Sequence, residues 1–313
     1  MIQSFDYIII GAGSAGCVLA NRLSKNLNNS VLLLEAGGPD SNMNIHIPGA
    51  YLKIHKSKQD WGFWTQKQSN VINRKIYLPR GKTLGGSSST NAMAYVRGNA
   101  SDYDGWAALG NSGWSYKDVL PYFKKSESHE QIGNVDSNYH GVSGELGVTL
   151  PKKFKTPYVD GFISACKNNG IPENNDYNGV SQEGAGLVHS TIKNGSRQSG
   201  AVAFLKPILN RPNLTAITNA QVCKILLKDK IAVGIEYKKG QPRVFDNDEI
   251  GKYSSKIKNI CNSIYNKDTN KVAEGIILIY SSYIDAGVIP IALALESMGF
   301  TRYGEKAKPL FKN

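Results

Sequence analysis

Three glycines and one carboxylate near the N-terminus carry the first recognisable chemistry of this sequence. Gly11, Gly13 and Gly16 have G-x-G-x-x-G spacing, and Glu35 follows about 20 residues beyond the last of them. The first glycine suits a tight turn, the second leaves room for backbone to approach a pyrophosphate, and the third lets a helix sit close to a strand. Unpaired N–H groups at the start of that helix attract phosphate, and an acid at position 35 suits both hydroxyls of a ribose that carries no 2′-phosphate. The motif predicts a dinucleotide site, with FAD and NAD both open. A second cluster, "YLPRGKTLGGSSSTNAMAYVRGNASDYD" over 77–104, pairs Gly85 with Gly86, adds three serines and then Asn91 and Met93. Its small side chains allow backbone to press against a flat ring, and its N–H and hydroxyl groups are donors for a phosphate or a ring edge.

These residues need elements to hold them. Tyr7 to Ile10 is an apolar run predicted as a strand buried on both faces of a parallel sheet. A helix follows the glycine turn, with Val18, Leu19 and Leu23 as its apolar stripe. A second strand, Val31 to Leu34, ends at Glu35. Strand, turn, helix and strand in this order predict an α/β protein with a Rossmann-like domain.

The 313 residues are enough for one large domain or two ordinary ones, and 41% hydrophobic with 20% charged residues is a globular composition. The net charge of +12 resides mostly before residue 242, since 242–313 holds 10 Lys/Arg against 8 Asp/Glu. It is scattered singly, which predicts a solvated basic surface and no nucleic-acid partner. Cys17, Cys166, Cys223 and Cys261 are far apart, with no C-x-x-C pair and no histidine at ligand spacing. No metal site is predicted, and reduced thiols with no charged leader before Tyr7 point to a cytoplasmic protein.

The second cluster resembles the first signature of the glucose-methanol-choline oxidoreductase family, choline-dehydrogenase-like members in particular. The likeness runs from Gly81 through Gly85, Gly86, Ser87, Ser88, Asn91, Tyr95 and Gly98 to Asp104, and extends over residues 2–241. "DYDGWAALGNSGWSYKDVLPYFKKSE" (102–127) is similar to the family's helix pair, and "HGVSGELGV" (140–148) to the lead into its substrate domain. "NGSRQSGAVAFLKPILNRPNLTAITNAQVCKILLKDKIAVGIEY" (194–237) is similar to the return to the FAD domain.

The resemblance implies a Rossmann-like FAD-binding domain over 1–150, a partial substrate domain over 151–205 and a return to the FAD domain over 206–241. It implies FAD contacts from Gly11, Gly13, Ser14, Ala15, Gly16, Glu35, Ala36, Arg80, Gly81, Leu84, Gly85, Gly86, Ser87, Asn91, Ala92, Met93, Ala94 and Val222. Thr90 stands where some members carry a histidine bonded to the flavin, so non-covalent FAD is implied. The implied activity is hydride transfer from the CH–OH group of a small alcohol or choline-like donor to the flavin, with a histidine to take the hydroxyl proton.

Two features depart from the family. The histidines are His46, His55, His129, His140 and His189, and none matches the family's C-terminal catalytic position, so no catalytic residue is assigned. His189 is predicted to lie in a strand as a satisfied structural histidine. After Gly240 the family's second signature is missing. Ile250, Tyr253, Ile257, Ile260 and Ile264 instead have helical spacing, followed by a polar linker from Asn266 to Lys271, a strand at 276–280 and a helix at 288–298. Ser281, Ser282, Asp285 and Pro290 interrupt that apolar stretch, which excludes a membrane span there. Residues 248–304 resemble part of the second RecA-like lobe of large-DNA-virus helicases. The chain therefore reads as the FAD-binding half of an alcohol-oxidising flavoprotein, incomplete at its C-terminus, with a short α/β tail over 242–313. The alternatives are a non-catalytic remnant or chimera and, behind them, a nucleic-acid-associated protein acting through the tail.

Overall fold

In the computed structural model of the chain, residues 4–151, 155–240, 265–266 and 271–272 are described. The chain divides into two units, Met1–Lys239 and Gly240–Asn313. The elements of the first, in order, are β1 (Tyr7–Ile10), α1 (Ser14–Leu23), β2 (Val31–Leu34), α2 (Met43–His46), β3 (Phe63–Trp64), β4 (Tyr77–Leu78), α3 (Ala100–Ala108), α4 (Tyr116–Ser126), β5 (Glu127–His129), β6 (Leu146–Val148), α5 (Pro157–Asn168), β7 (Ile192–Lys193), β8 (Ser196–Arg197), β9 (Leu214–Ile217), β10 (Ala220–Lys228) and β11 (Ile231–Lys239).

The glycine motif stands at one end of a parallel three-stranded sheet of order β1-β2-β9, in which Tyr7 pairs with Val31 and Val31 with Leu214. The central strand β2 is buried at all four residues, as a continuous apolar run requires. β1 departs from the prediction: Tyr7 and Ile10 are 42% and 48% exposed. Its other edge pairs with no strand among the described residues, so its side chains lack the neighbours that bury β2.

One face of the sheet packs against α1 and a π-helical turn at Ala201–Leu205, joining Ile9, Val31 and Leu33 to Cys17, Ala20, Phe204 and Leu205. The other face, Leu32 and Leu34, is covered by Ala220, Val222 and Ile235 of the β10–β11 hairpin. The inward face of α1 differs from the predicted stripe. Gly16, Cys17, Ala20 and Asn21 are buried, Val18 and Leu23 pack half-buried against the core, and Leu19 is exposed. A Cβ at Gly16 would stand 1.9 Å from the Gly11 carbonyl oxygen, so the helix runs too close to β1 for larger residues on that side.

The rest of the unit is built from short pieces. α3 and α4 form where the sequence places a helix pair, and each opens with a capping box, Asn99 with Asp102 and Ser115 with Asp118. β5 and β6 pair in parallel, and β7 and β8 form a hairpin whose turn residues Asn194 and Gly195 both have positive φ. In the second unit, β12 (Tyr265–Asn266) pairs antiparallel with β13 (Lys271–Val272), at the ends of the stretch predicted as a polar linker. The helical pattern of Ile250 to Ile264, the strand at 276–280 and the helix at 288–298 lie outside the described residues.

Candidate functional site

The two glycine clusters meet although about seventy residues separate them in a fold that a dinucleotide motif by itself does not specify. The Gly85 N–H donates to the Ala12 carbonyl at 2.7 Å. Gly86, at φ +54, comes so close to the first loop that a Cβ there would lie 2.8 Å from the Gly13 Cα. Gly81 is pressed in the same way, 2.1 Å from its Cβ position to the Gly86 oxygen. Both contacts are with backbone, so a side chain at Gly86 would drive the two loops apart and one at Gly81 would force open the turn of the second loop itself. The π-helical segment braces them from behind, with the Gly200 N–H on Ser88 Oγ at 2.8 Å.

Between the loops lies a cleft of about 720 Å³, of the size of small-molecule sites. Of the predicted residues, Gly11, Gly13, Ser14, Ala15, Gly16, Glu35, Ala36, Arg80, Gly81, Gly86, Ser87 and Val222 line it. The others do not. Leu84 is buried in the core, and Gly85 supplies the bond to Ala12. The Asn91 side chain accepts from the Met93 N–H at 3.1 Å and from the Arg197 guanidinium at 2.8 Å, Met93 is buried at φ +63, and Ala92 and Ala94 are exposed. Arg197 is fully buried beneath this segment, also donating to the Ile45 and Ser88 carbonyls, and burial lowers its pKa to about 10.

Ile10, Leu34, Trp61, Phe63, Ala220 and Gln221 also line the cleft and were not foreseen. Ile10 and Leu34 end the two strands that carry the motif, so strand position is a signal for them. Trp61 and Phe63 stack at 5.6 Å with rings 10° apart, and the aromatic spacing W-x-F-W is their only mark in the sequence.

The chemistry of the cleft is that of an anion and polyol site. α1 begins at Gly13 with no side-chain cap, and a Cβ on Gly13 would meet nothing within 4 Å, so ligand can approach the helix N-terminus. Glu35 is 5% exposed; its two oxygens accept from the Ala12 and Gly37 N–H groups, each at 2.8 Å. Burial raises its pKa, and those two N–H groups oppose the rise. Each carboxylate oxygen keeps a lone pair for a hydroxyl. Arg80 adds a cation to the lining, and Val222 lines it from β10.

A second cluster, away from the cleft lining, gathers three of the five histidines. The rings of His129, His140 and His189 lie within 5.7 Å of one another by centroid. His140 Nδ1 is 2.9 Å from Glu127, and its Nε2 is 2.9 Å from Asp176. Burial disfavours its charged form, but the bonds to Asp176 and Glu127 outweigh this and raise its pKa to about 9. Glu127 also accepts from Arg97 at 2.9 Å and from the Gly141 N–H. The prediction for His189 needs correction. It lies outside any strand, it is 2% exposed, and neither ring nitrogen makes a well-formed hydrogen bond, although the Asn175 backbone and, at 3.9 Å, an Asp176 oxygen approach it. Tertiary packing decides this, because the segments that crowd around it come from residues 127–140 and 173–176.

Comparison with known proteins places these features in a family. The GMC oxidoreductase model matches residues 5–252, running a little beyond the 241 expected as the end of the likeness. An alcohol dehydrogenase [acceptor] of Pseudomonas putida is 47% identical over 234 residues, 74% of this chain and 42% of that protein. An oxygen-dependent choline dehydrogenase of Vibrio vulnificus is 46% identical over 239 residues, 76% of this chain and 42% of that protein. Among solved structures, pyridoxine 4-oxidase from Mesorbium loti aligns with a TM-score of 0.71 at 33% identity, covering 76% of this chain and 47% of the other. The chain thus spans less than half the length of the curated relatives it matches. No helix among the described residues is long and apolar enough to cross a membrane. With a match across well over half its length and the two glycine loops closed on one cleft, the chain belongs to the GMC oxidoreductase family.

Proposed function

We propose that this chain supplies the FAD-binding portion of an oxidoreductase that acts on the CH–OH group of a small alcohol or choline-like donor, with the flavin held non-covalently. The observation that carries the reading is the closure of the Gly81–Ser87 loop onto the Gly11–Gly16 turn, which leaves a cleft with an uncapped helix N-terminus at one wall and Glu35 at another. In this reading the N–H groups from Gly13 to Ala15 hold the pyrophosphate, Glu35 holds the ribose hydroxyls, the Val222 main chain faces the adenine, and Arg80, Gly81, Gly86 and Ser87 serve the ring system. Asn91 to Ala94 belongs to the same segment but acts through the backbone course that Arg197 fixes. When bound, the flavin accepts the hydride, and the protein has to orient the donor and take up its hydroxyl proton.

Thr90 supports the non-covalent form. It is buried, its hydroxyl faces the Ser87 carbonyl, and no histidine lines the cleft. The partial substrate domain proposed for 151–205 contains α5 and the β7–β8 hairpin.

The full chain, purified and incubated with FAD, is expected to be yellow and to release its flavin into the supernatant on acid precipitation. A colourless chain, or flavin that stays with the precipitate, overturns the cofactor reading in its first or second part. Because no histidine lines the cleft, choline and simple alcohols are expected to leave a dye acceptor unreduced by this chain alone; dye reduction would show that its share extends beyond cofactor binding.

A further inference from the structure

The histidine cluster has no task in cofactor binding, yet it is built from groups that are costly to bury. His140 and His189 are nearly inaccessible, and Asp176 stands between them, with oxygens 2.9 Å from His140 Nε2 and 3.9 Å from His189 Nδ1. We propose that His140, His189 and Asp176 form a binding site for a divalent transition-metal ion of the zinc class, the ion taking the place of the proton between His140 and Asp176.

The spacing fits. One ligand atom from each residue lies within 4.8 Å of the other two. Tetrahedral zinc with bonds of about 2.0–2.1 Å sets neighbouring ligand atoms roughly 3.4 Å apart, between the two separations present here. The support behind the ligands also fits. A ligating imidazole usually donates its other N–H to a carboxylate, and His140 Nδ1 faces Glu127 at 2.9 Å. Glu127 is in turn held by Arg97 and the Gly141 N–H. His189 supplies the independent observation: a fully buried imidazole, beside Asp176, with neither nitrogen well bonded. A polar group in that state costs stability that a metal bond would recover.

The site also has a route to solvent. Asp176 forms part of the wall of a separate cleft of about 430 Å³, along with Asp136 and Glu173, whose charges favour a cation's approach. Water from that cleft completes the fourth position.

The test uses the full chain, made without a metal-binding tag, dialysed against a chelator and titrated with Zn²⁺ alone in competition with a chromophoric chelator. Co²⁺ serves as the spectroscopic substitute. One Zn²⁺ per chain is expected, with tetrahedral Co²⁺ bands in the visible. His189→Phe exchanges a poorly bonded ring for an apolar one and is expected to lower affinity by about 100-fold or more, beyond the roughly 10–100-fold expected of Glu127→Gln. Absence of stoichiometric Zn²⁺, or binding of undiminished affinity in His189→Phe, overturns the proposal. Should His189→Phe fail to fold, Asp176→Asn is read in the same way.

Discussion

The cofactor cleft and the histidine cluster bury comparable polar chemistry by opposite means. In the cleft the groups turned toward a ligand are main-chain N–H donors, and the loops that carry them are locked by backbone contacts which only glycine permits, at Gly16, Gly81 and Gly86. Glu35 is the lone carboxylate among the described lining residues, and backbone also holds it. In the histidine cluster the backbone plays a supporting part, through the Gly141 N–H on Glu127 and the Tyr139 carbonyl under Arg97, and side chains make the bonds between its members. Arg97, Glu127, His140 and Asp176 satisfy one another through side chains, with 30 residues between Arg97 and Glu127 and 36 between His140 and Asp176. A backbone-built site tolerates no added volume, whereas a charge-built one tolerates no lost partner.

The largest effect should come from unpairing the cluster. Arg97→Leu leaves Glu127, which is 0% exposed, without its guanidinium and strips the Tyr139 carbonyl of a donor at 2.7 Å. A loss of about 3–5 kcal/mol is expected in urea unfolding, as for removal of one member of a buried ion pair. Next comes added volume in the cleft. Gly16→Ala puts a methyl group 1.9 Å from the Gly11 oxygen, which neither α1 nor β1 can avoid without moving. A cost of about 1–3 kcal/mol is expected, with weaker flavin binding measured by fluorescence quenching. If Gly16→Ala proved more costly than Arg97→Leu, the contrast between the two regions would be reversed.

The smallest effect is a pH slope. Burial raises the Glu35 pKa above its ordinary value of 4.5 despite the two N–H groups bonded to it. A carboxyl whose pKa is raised on folding contributes stability below its unfolded pKa and loses that contribution as pH rises through the folded value. Urea midpoints of the native chain should therefore fall relative to those of Glu35→Gln as pH rises from below the ordinary carboxylate value of 4.5 through the raised folded value. Parallel midpoints would show that Glu35 is not held against its charge, leaving the helix N-terminus and Arg80 as the electrostatic features of the cleft.

Legibility followed locality. The first glycine turn and the two strands flanking α1 are each specified within a few residues, by φ demands and apolar runs, whereas the helices α3 and α4 were legible through the family likeness and their reciprocal caps are seen in the structure. Leu19 was misplaced because helical periodicity gives the direction of a stripe, while the close approach at Gly16 decides that small residues must fill it. Trp61 and Phe63 were missed because nothing in a loop's sequence says which cavity it will border.

What the amino-acid sequence determined alone is the glycine-built half of the site and its family, because a turn that needs φ of +90 at Gly11 and close backbone passage at Gly16 leaves only one residue type possible. The tertiary structure alone decided that Arg97, Glu127, His129, His140, Asp176 and His189 would converge. Any polar type is allowed at each of those positions locally, and only burial among the others makes their charges and unshared lone pairs matter.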